Sequence, residues 1–101
     1  MSPLPVVILP HAKADIGSSA QFFDQARPGY GQMFIRQLYF TLHHIREFPE
    51  SCQRFRGECR RAILHRFHHA VVYRCLQDRI EIVGVMDDRR DADRWQVRTG
   101  E

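Results

Sequence analysis

The segment RRAILHRFHHAVVYRCLQDRIEIVGVMDDRRDADRW, residues 60–95, decides the fold of this 101-residue chain. Three runs of apolar and β-branched residues lie within it, at residues 62–67, 70–76 and 80–86, and short turns separate them. Runs of this composition predict strands, and short turns between them predict an antiparallel meander. We therefore expect three consecutive strands in the second half of the chain.

The residues that precede this segment predict one strand and a pair of helices. Residues 6–9 form a β-branched run between two prolines, which is typical of a buried strand. Apolar residues at helical spacing predict one helix over residues 12–26 and a second over residues 34–48, with a break at residues 27–29 between them. Residues 50–58 lack periodicity and are expected to form a connecting loop.

The element order β-α-α-β-β-β predicts an α+β fold in one domain, residues 1–101, with a loose tail at residues 96–101. If the chain reverses direction at every element, the last strand can lie antiparallel beside the first. Four strands in the order 1-4-3-2 would then form a mainly antiparallel sheet. The helical hairpin would cover one face of this sheet and leave the other face partly open for a partner.

Composition excludes several classes of protein. A hydrophobic content of 44% and a charged content of 27% are typical of a globular domain. The apolar runs are much shorter than the roughly 20 residues of a membrane span, and the N-terminus lacks the basic start of a signal peptide, so we expect a cytoplasmic protein. Cys52, Cys59 and Cys75 are odd in number and predict free thiols. No cofactor is predicted, and no metal site, because the histidines and cysteines match no usual ligand spacing.

The positive charge lies in the second half of the chain. Residues 1–50 contain four basic and four acidic side chains, whereas residues 54–66 contain five arginines and one glutamate. Such a cluster favours an anionic partner, either a nucleic-acid backbone or an acidic protein segment, although a solvated basic face is an equal alternative. With Trp95 as an aromatic anchor, the predicted binding surface comprises Arg54, Arg56, Arg60, Arg61, Arg66, Arg89, Arg90 and Trp95.

A histidine cluster raises the question of catalysis. His65, His68 and His69 lie beside Arg66, and imidazoles can transfer protons near neutral pH, as in a nuclease. The alternative is that they are turn histidines without a catalytic role, because closeness in sequence does not establish a shared pocket. If the protein were a ribonuclease, its candidate catalytic residues would be His65, His69, Arg61, Arg89 and Arg90.

Several segments together resemble the toxins of the RelE/ParE superfamily, from bacterial type II toxin-antitoxin systems. The resemblance covers about residues 12–95. It rests on residues 12–15 after the first strand and on the segments ARPGYGQMF, REFPE, RRAILHRF, VVYR and DRRDADRW. It implies a compact β-α-α-β-β-β fold and a dedicated antitoxin that wraps the toxin. RelE-like members cleave mRNA on the ribosome, whereas ParE-like members poison DNA gyrase, so the resemblance alone does not decide the activity.

Departures from the ribonuclease members favour the ParE-like side. This chain has Ala70 where those members tend to place an arginine before the VVY core, and Trp95 where they have a late catalytic tyrosine. Many similar plasmid-stabilisation proteins have His at the position of Asp87 and Pro at that of Ala92, so the resemblance does not support a His-dependent role for the tail. The long helical hairpin also favours ParE.

The leading hypothesis is a cytoplasmic ParE-like toxin that binds an essential target, with DNA gyrase preferred, and that a cognate antitoxin neutralises. It would be a binding poison rather than an enzyme. The alternatives are a RelE-like ribosome-dependent mRNA endoribonuclease, and an inactive module that retains only antitoxin binding.

Overall fold

The computed structural model describes residues 3–87, which form two helices and five strands. The elements, in chain order, are β1 (Val6–Ile8), α1 (Pro10–Ala26), α2 (Tyr30–Glu47), β2 (Arg54–Arg56), β3 (Cys59–Ile63), β4 (His69–Cys75) and β5 (Ile80–Asp87). The predicted α+β class and the helical hairpin are confirmed.

The five strands form one sheet in the order β1-β5-β4-β3-β2. The predicted neighbours of the four expected strands are therefore correct. Strands β4 and β5 pair antiparallel from Cys75 opposite Ile80 to His69 opposite Asp87, with one irregularity next to Val72. Strand β1 pairs with β5 in parallel.

Two predictions about the sheet were wrong, and both have the same cause. Residues 54–56 form the edge strand β2, although residues 50–58 were expected to be a loop. This strand is only three residues long and carries arginine at both ends, so it shows no run of apolar residues. Because it adds one reversal of the chain, every later strand runs opposite to the expected direction. The last strand is consequently parallel to β1, and not antiparallel.

Two element boundaries also differ from the sequence prediction. Helix α1 begins at Pro10. Proline is favoured at the first helical position, because the backbone N–H that it lacks would have had no partner in the helix. Strand β3 ends at Ile63, and the apolar residues Leu64 and Phe67 lie in the following turn. Their side chains are nonetheless buried, at 1% and 5% exposure, because the turn folds back onto the core.

The core lies between the hairpin and one face of the sheet. The predicted apolar stripe of α2 supplies Phe34, Leu38 and Ile45, which are at most 1% exposed. These side chains pack against Tyr73 of β4 and Ile82 of β5. Alternate residues of β4 point towards the helices, whereas on β5 the core residues are Ile80, Ile82 and then Val85, because the pairing of β4 with β5 shifts by one residue between them.

The two helices approach most closely at Gly31. A Cβ atom placed there would overlap the carbonyl oxygen of Ala20 on α1, whereas a Cβ atom at Gly17 would meet nothing within 4 Å. Gly31→Ala is therefore expected to lower the free energy of unfolding by about 1–3 kcal/mol, because the hairpin must open. Gly17→Ala should raise it by about 0.5–1 kcal/mol, since alanine is the better helix former. Urea unfolding followed by circular dichroism measures both, and equal effects would contradict the close approach.

Candidate functional site

The described residues of the predicted binding surface lie on two neighbouring strands and in the turn that follows them. Arg54 and Arg56 are on β2, Arg60 and Arg61 are on β3, and Arg66 is in the turn between β3 and β4. The remaining predicted members, Arg89, Arg90 and Trp95, lie outside the described residues, as does the predicted tail at residues 96–101.

Arg54 and Arg60 lie directly opposite each other across β2 and β3. Like charges at such positions repel each other. The guanidinium of Arg60 donates hydrogen bonds to the carbonyl oxygens of Cys52 at 2.7 Å and Glu50 at 3.4 Å. Arg60 thus holds the chain that follows α2 against the sheet, while Arg54 is exposed and presents its charge to solvent.

The ring of Phe55 lies close to two guanidinium groups. The guanidinium carbon of Arg56 is 5.5 Å from its ring centroid and that of Arg61 is 5.2 Å away. Both are within range of a cation–π interaction. Phe55 also packs against a second, smaller core on the sheet face opposite the helices. The members of that core are Cys59, Ala70, Val72, Val83 and Met86.

This second core corrects the expectation that the far face of the sheet stays partly open. Val72 is 0% and Val83 is 6% exposed, although neither faces the helices. The sheet face opposite the helices is therefore not open to a partner at Val72 and Val83.

The predicted histidine cluster is divided between solvent and core. His65 and His68 are exposed in the turn, next to Arg66, whose backbone has a left-handed φ of 72°. His69 begins β4, and its ring centroid lies 5.3 Å from that of Phe23 and 5.5 Å from that of Phe34. The fold therefore gives adjacent histidines different surroundings.

His65 and His69 also line different cavities. His69 lines a cavity of about 340 Å³ between α1 and β5, together with Asp15 and Asp87. One Asp15 carboxylate oxygen accepts a hydrogen bond from the backbone N–H of Val85 at 3.0 Å. His65 instead lines a groove of about 440 Å³ between α2 and β3, which it shares with Arg61. A general base and a general acid that cleave one phosphodiester must both reach that group from the same site, and these two imidazoles line different cavities.

No family model matches the sequence, and no curated protein matches it. Among solved structures, a chain described as the chromosomal ParDE TA system from P. aeruginosa superposes with a TM-score of 0.75. The match covers 83% of this chain and 95% of that chain at 12% sequence identity. The protein therefore shares the fold of that chain. At this identity the likeness concerns the fold alone, and it confirms at that level the predicted resemblance to RelE/ParE toxins.

The ParDE-like fold contains further features that the sequence did not reveal. The hydroxyl of Tyr73 donates a hydrogen bond to the carbonyl oxygen of Pro49 at 2.8 Å, and the Cys75 thiol lies 3.7 Å from the same oxygen. Burial raises the pKa of both groups above their ordinary values. Tyr73 is 0% exposed and lies in the core.

The groove between α2 and β3 was also missed. Its signal in the sequence was weak: Phe40 is a large apolar residue on α2 that falls outside the buried stripe. It is 72% exposed and lines the groove. Single apolar residues are common at protein surfaces, so Phe40 alone did not predict a groove. The groove is evident only from the fold, which places Phe40 beside the edge of β3.

Two features are absent from residues 3–87, the part of the chain that the structure describes. No helix within residues 3–87 combines the length and the apolar character needed to cross a bilayer. In the same residues no three His, Cys, Asp or Glu side chains are grouped so as to hold a metal ion. Cys52, Cys59 and Cys75 are free thiols, as predicted.

An ion-pair network at the β4–β5 hairpin has a stabilising role. The Glu81 carboxylate accepts hydrogen bonds from Arg74 at 2.7 Å and Arg79 at 3.1 Å, and it is 7% exposed. Arg74 is the main cause of the lowered pKa of Glu81, with Arg79 contributing and burial opposing. A carboxyl group whose pKa is lowered by folding stabilises the protein above its unfolded pKa, and this contribution is lost as the pH falls through the folded pKa.

Glu81→Gln is therefore expected to lower the free energy of unfolding at pH 7 by about 1–2 kcal/mol, because two charge-assisted hydrogen bonds are weakened. The difference from the native protein should begin to shrink below about pH 4.3, the ordinary pKa of a glutamate side chain. It should disappear once the pH has fallen through the lowered pKa of Glu81 in the folded protein. Urea unfolding at several pH values measures this. Glu47→Gln is the matched control, since Glu47 is exposed and lies 4.0 Å from His43; a pH-independent effect of Glu81→Gln would contradict the assignment.

Proposed function

We propose that this chain is the toxin of a bacterial type II toxin-antitoxin system and that it belongs to the ParE-like class. It acts in the cytoplasm by binding an essential target, with DNA gyrase preferred, and a cognate antitoxin neutralises it. The observation that carries the proposal is the fold shared with 95% of the ParDE chain. The sequence segments that resemble RelE/ParE toxins give independent support.

Binding is favoured over nucleic-acid cleavage by the arrangement of the basic and imidazole groups. His65 and His69 line separate cavities, so they do not form an acid–base pair. Ala70, which stands where ribonuclease members tend to have arginine, is 0% exposed and offers no group to a phosphate. Exposed charge at Arg54 and Arg66 suits recognition of an acidic surface, because opposite potentials speed association and select partners.

Expression of the chain alone in a bacterial host tests the proposal. Growth should stop after induction, and co-expression of the antitoxin should restore it. Growth that continues at a normal rate would contradict an active toxin and would favour the inactive antitoxin-binding module.

The RelE-like endoribonuclease remains the second candidate, because Arg61 and His65 share one groove. Such an enzyme would need its phosphate-binding and proton-transfer groups together, and this pair is a minimal version of that arrangement. Primer extension on translating mRNA separates the two activities. The proposal predicts no new mRNA ends during growth arrest, and arrest that His65→Ala does not change. New ends within codons, lost in His65→Ala, would establish the ribonuclease instead.

A further inference from the structure

The three free thiols are divided between the two faces of the sheet. Cys52 and Cys75 both pack against the larger core, which lies between the sheet and the helices. Cys59 belongs to the smaller core on the opposite face and is 4% exposed. Two cysteines whose side chains point to opposite faces cannot be joined without movement of the backbone. Within one chain, Cys52 and Cys75 are therefore the pair that can form a disulfide.

Both of these thiols border the hydroxyl of Tyr73. The Cys75 Sγ lies 3.7 Å from the carbonyl oxygen of Pro49, and the Tyr73 hydroxyl donates a hydrogen bond to the same oxygen at 2.8 Å. Burial is the main cause of the raised pKa of Tyr73, and a hydrogen bond between the side chains of Tyr73 and Cys52 adds to it. One buried tyrosine thus brings the two thiols to the same place, beside the end of β4.

The backbone at Cys52 is held by a side chain and not by strand pairing. Cys52 lies in the connection between α2 and β2, outside both elements. The Arg60 guanidinium donates hydrogen bonds to the carbonyl oxygens of Glu50 and Cys52, at 3.4 Å and 2.7 Å. These bonds keep Cys52 near β4, and they leave it able to approach Cys75 by the small distance that a disulfide requires.

Cys52 is the thiol that a reagent reaches first. It is partly exposed and lines the groove between α2 and β3. Arg61, His44 and His65 line the same groove, and none of the described lining residues is acidic, so the groove attracts reagents that carry carboxylates. Burial raises the pKa of the Cys75 thiol. Because the thiolate is the attacking form, Cys75 is the less suitable thiol for the first step.

We propose that Cys52 is the modification site for a small acidic disulfide of the glutathione type, and that Cys75 resolves the product into a disulfide between Cys52 and Cys75. The Cys52 thiolate attacks one sulfur of the reagent, forms a mixed disulfide and releases one thiolate, which takes up the proton that Cys52 lost. The Cys75 thiolate then attacks the Cys52 sulfur and displaces the second thiolate, which takes up the proton of Cys75. Two protein thiols are oxidised, and one disulfide of the reagent is reduced to two thiols.

The disulfide closes residues 52–75 into a covalent loop that contains β2, β3 and β4. It fixes the connection after α2 to the sheet, and cross-links of this kind stabilise a folded chain. Because reduced glutathione reverses the exchange, the modification responds to the ratio of oxidised to reduced glutathione around the protein. The inference goes beyond the proposed function, since the exchange requires neither an antitoxin nor gyrase.

Intact-mass spectrometry of the folded full-length chain, after incubation with glutathione disulfide, tests the assignment. The native chain should lose two hydrogen atoms and retain no glutathione, and digestion should yield a peptide with Cys52 linked to one with Cys75. The midpoint of thermal unfolding should rise by at least about 5 °C. Dithiothreitol should reverse both changes.

Variants separate the roles of the thiols. Cys75→Ser should stop at the mixed disulfide and gain the mass of one glutathione on Cys52. Cys52→Ser should react at least about tenfold more slowly, because the thiol that lines the groove is gone. Cys59→Ala is the matched control, since it removes the thiol on the other face of the sheet, and it should react as the native chain does. Circular dichroism shows whether each variant is folded.

A native chain that stays reduced or retains glutathione would overturn the inference, as would a linkage that includes Cys59 or a second chain. Equal rates for Cys52→Ser and Cys75→Ser would also overturn it. If a serine variant does not fold, the linked peptides of the native chain decide alone. The assay contains no antitoxin, gyrase or RNA, so its failure rejects the thiol exchange and leaves the growth test of the proposed function unaffected.

Discussion

Phe34→Ala is expected to lower the free energy of unfolding by about 3–5 kcal/mol, the largest loss of stability that we predict for a single substitution. Phe34 is 0% exposed, and its ring centroid lies 5.1 Å from that of Phe23 and 5.4 Å from that of Phe67. These contacts join α2 to α1 and to the turn after β3. A cavity at this point would loosen all three elements, and the loss would be a large share of the stability of a small domain.

Urea unfolding followed by circular dichroism measures this loss. Phe40→Ala is the matched control, because it removes the same side chain from the same helix at a position that is 72% exposed. Its effect should lie within about 0.5 kcal/mol. Similar losses for the two variants would show that the core does not centre on Phe34.

Reversal of two exposed charges, Arg54→Glu together with Arg66→Glu, is expected to abolish most of the growth inhibition. Both side chains are exposed and belong to the predicted binding surface, which is basic. Arg54 is on the edge strand β2 and Arg66 is in the turn after β3. The change removes attraction to an acidic target and introduces repulsion, which slows association and weakens the complex. The number of surviving colonies after induction should rise at least about tenfold.

The matched control is Lys13→Glu together with Arg36→Glu, which makes the same change in net charge on exposed positions of the two helices. This variant should stop growth as the native chain does. Circular dichroism shows whether both variants are folded. Equal loss of toxicity in the two variants would mean that net charge, and not the basic surface, determines the effect.

The sequence predicted the elements that have a strong periodic signal. The α2 stripe and the runs of β4 and β5 are long enough to bury one face each, and their positions in the structure agree to within about one turn or one residue. Strand β2 was missed because RFR gains its strand geometry from pairing with β3 rather than from its own composition. That one omission was sufficient to reverse the expected direction of β5 relative to β1.

The candidate site was less predictable, because it depends on which residues the sheet brings together. Closeness in sequence grouped His65 with His69, but the turn exposes the first and strand alternation directs the second towards Phe23 and Phe34. The role of Arg60 depends on two carbonyl groups in a loop that has no sequence signal. The short strand β2 pairs with Cys59 and Arg60 of β3 and does not reach Ile63.

We propose that the protein arrests growth by binding gyrase and not by cutting RNA. Purified protein added to DNA gyrase in a supercoiling assay tests it most directly. We predict that supercoiling falls as the molar ratio approaches one protein per gyrase subunit, that Arg54→Glu with Arg66→Glu restores it, and that Lys13→Glu with Arg36→Glu does not. Undiminished supercoiling at a clear stoichiometric excess of folded protein would contradict the claim.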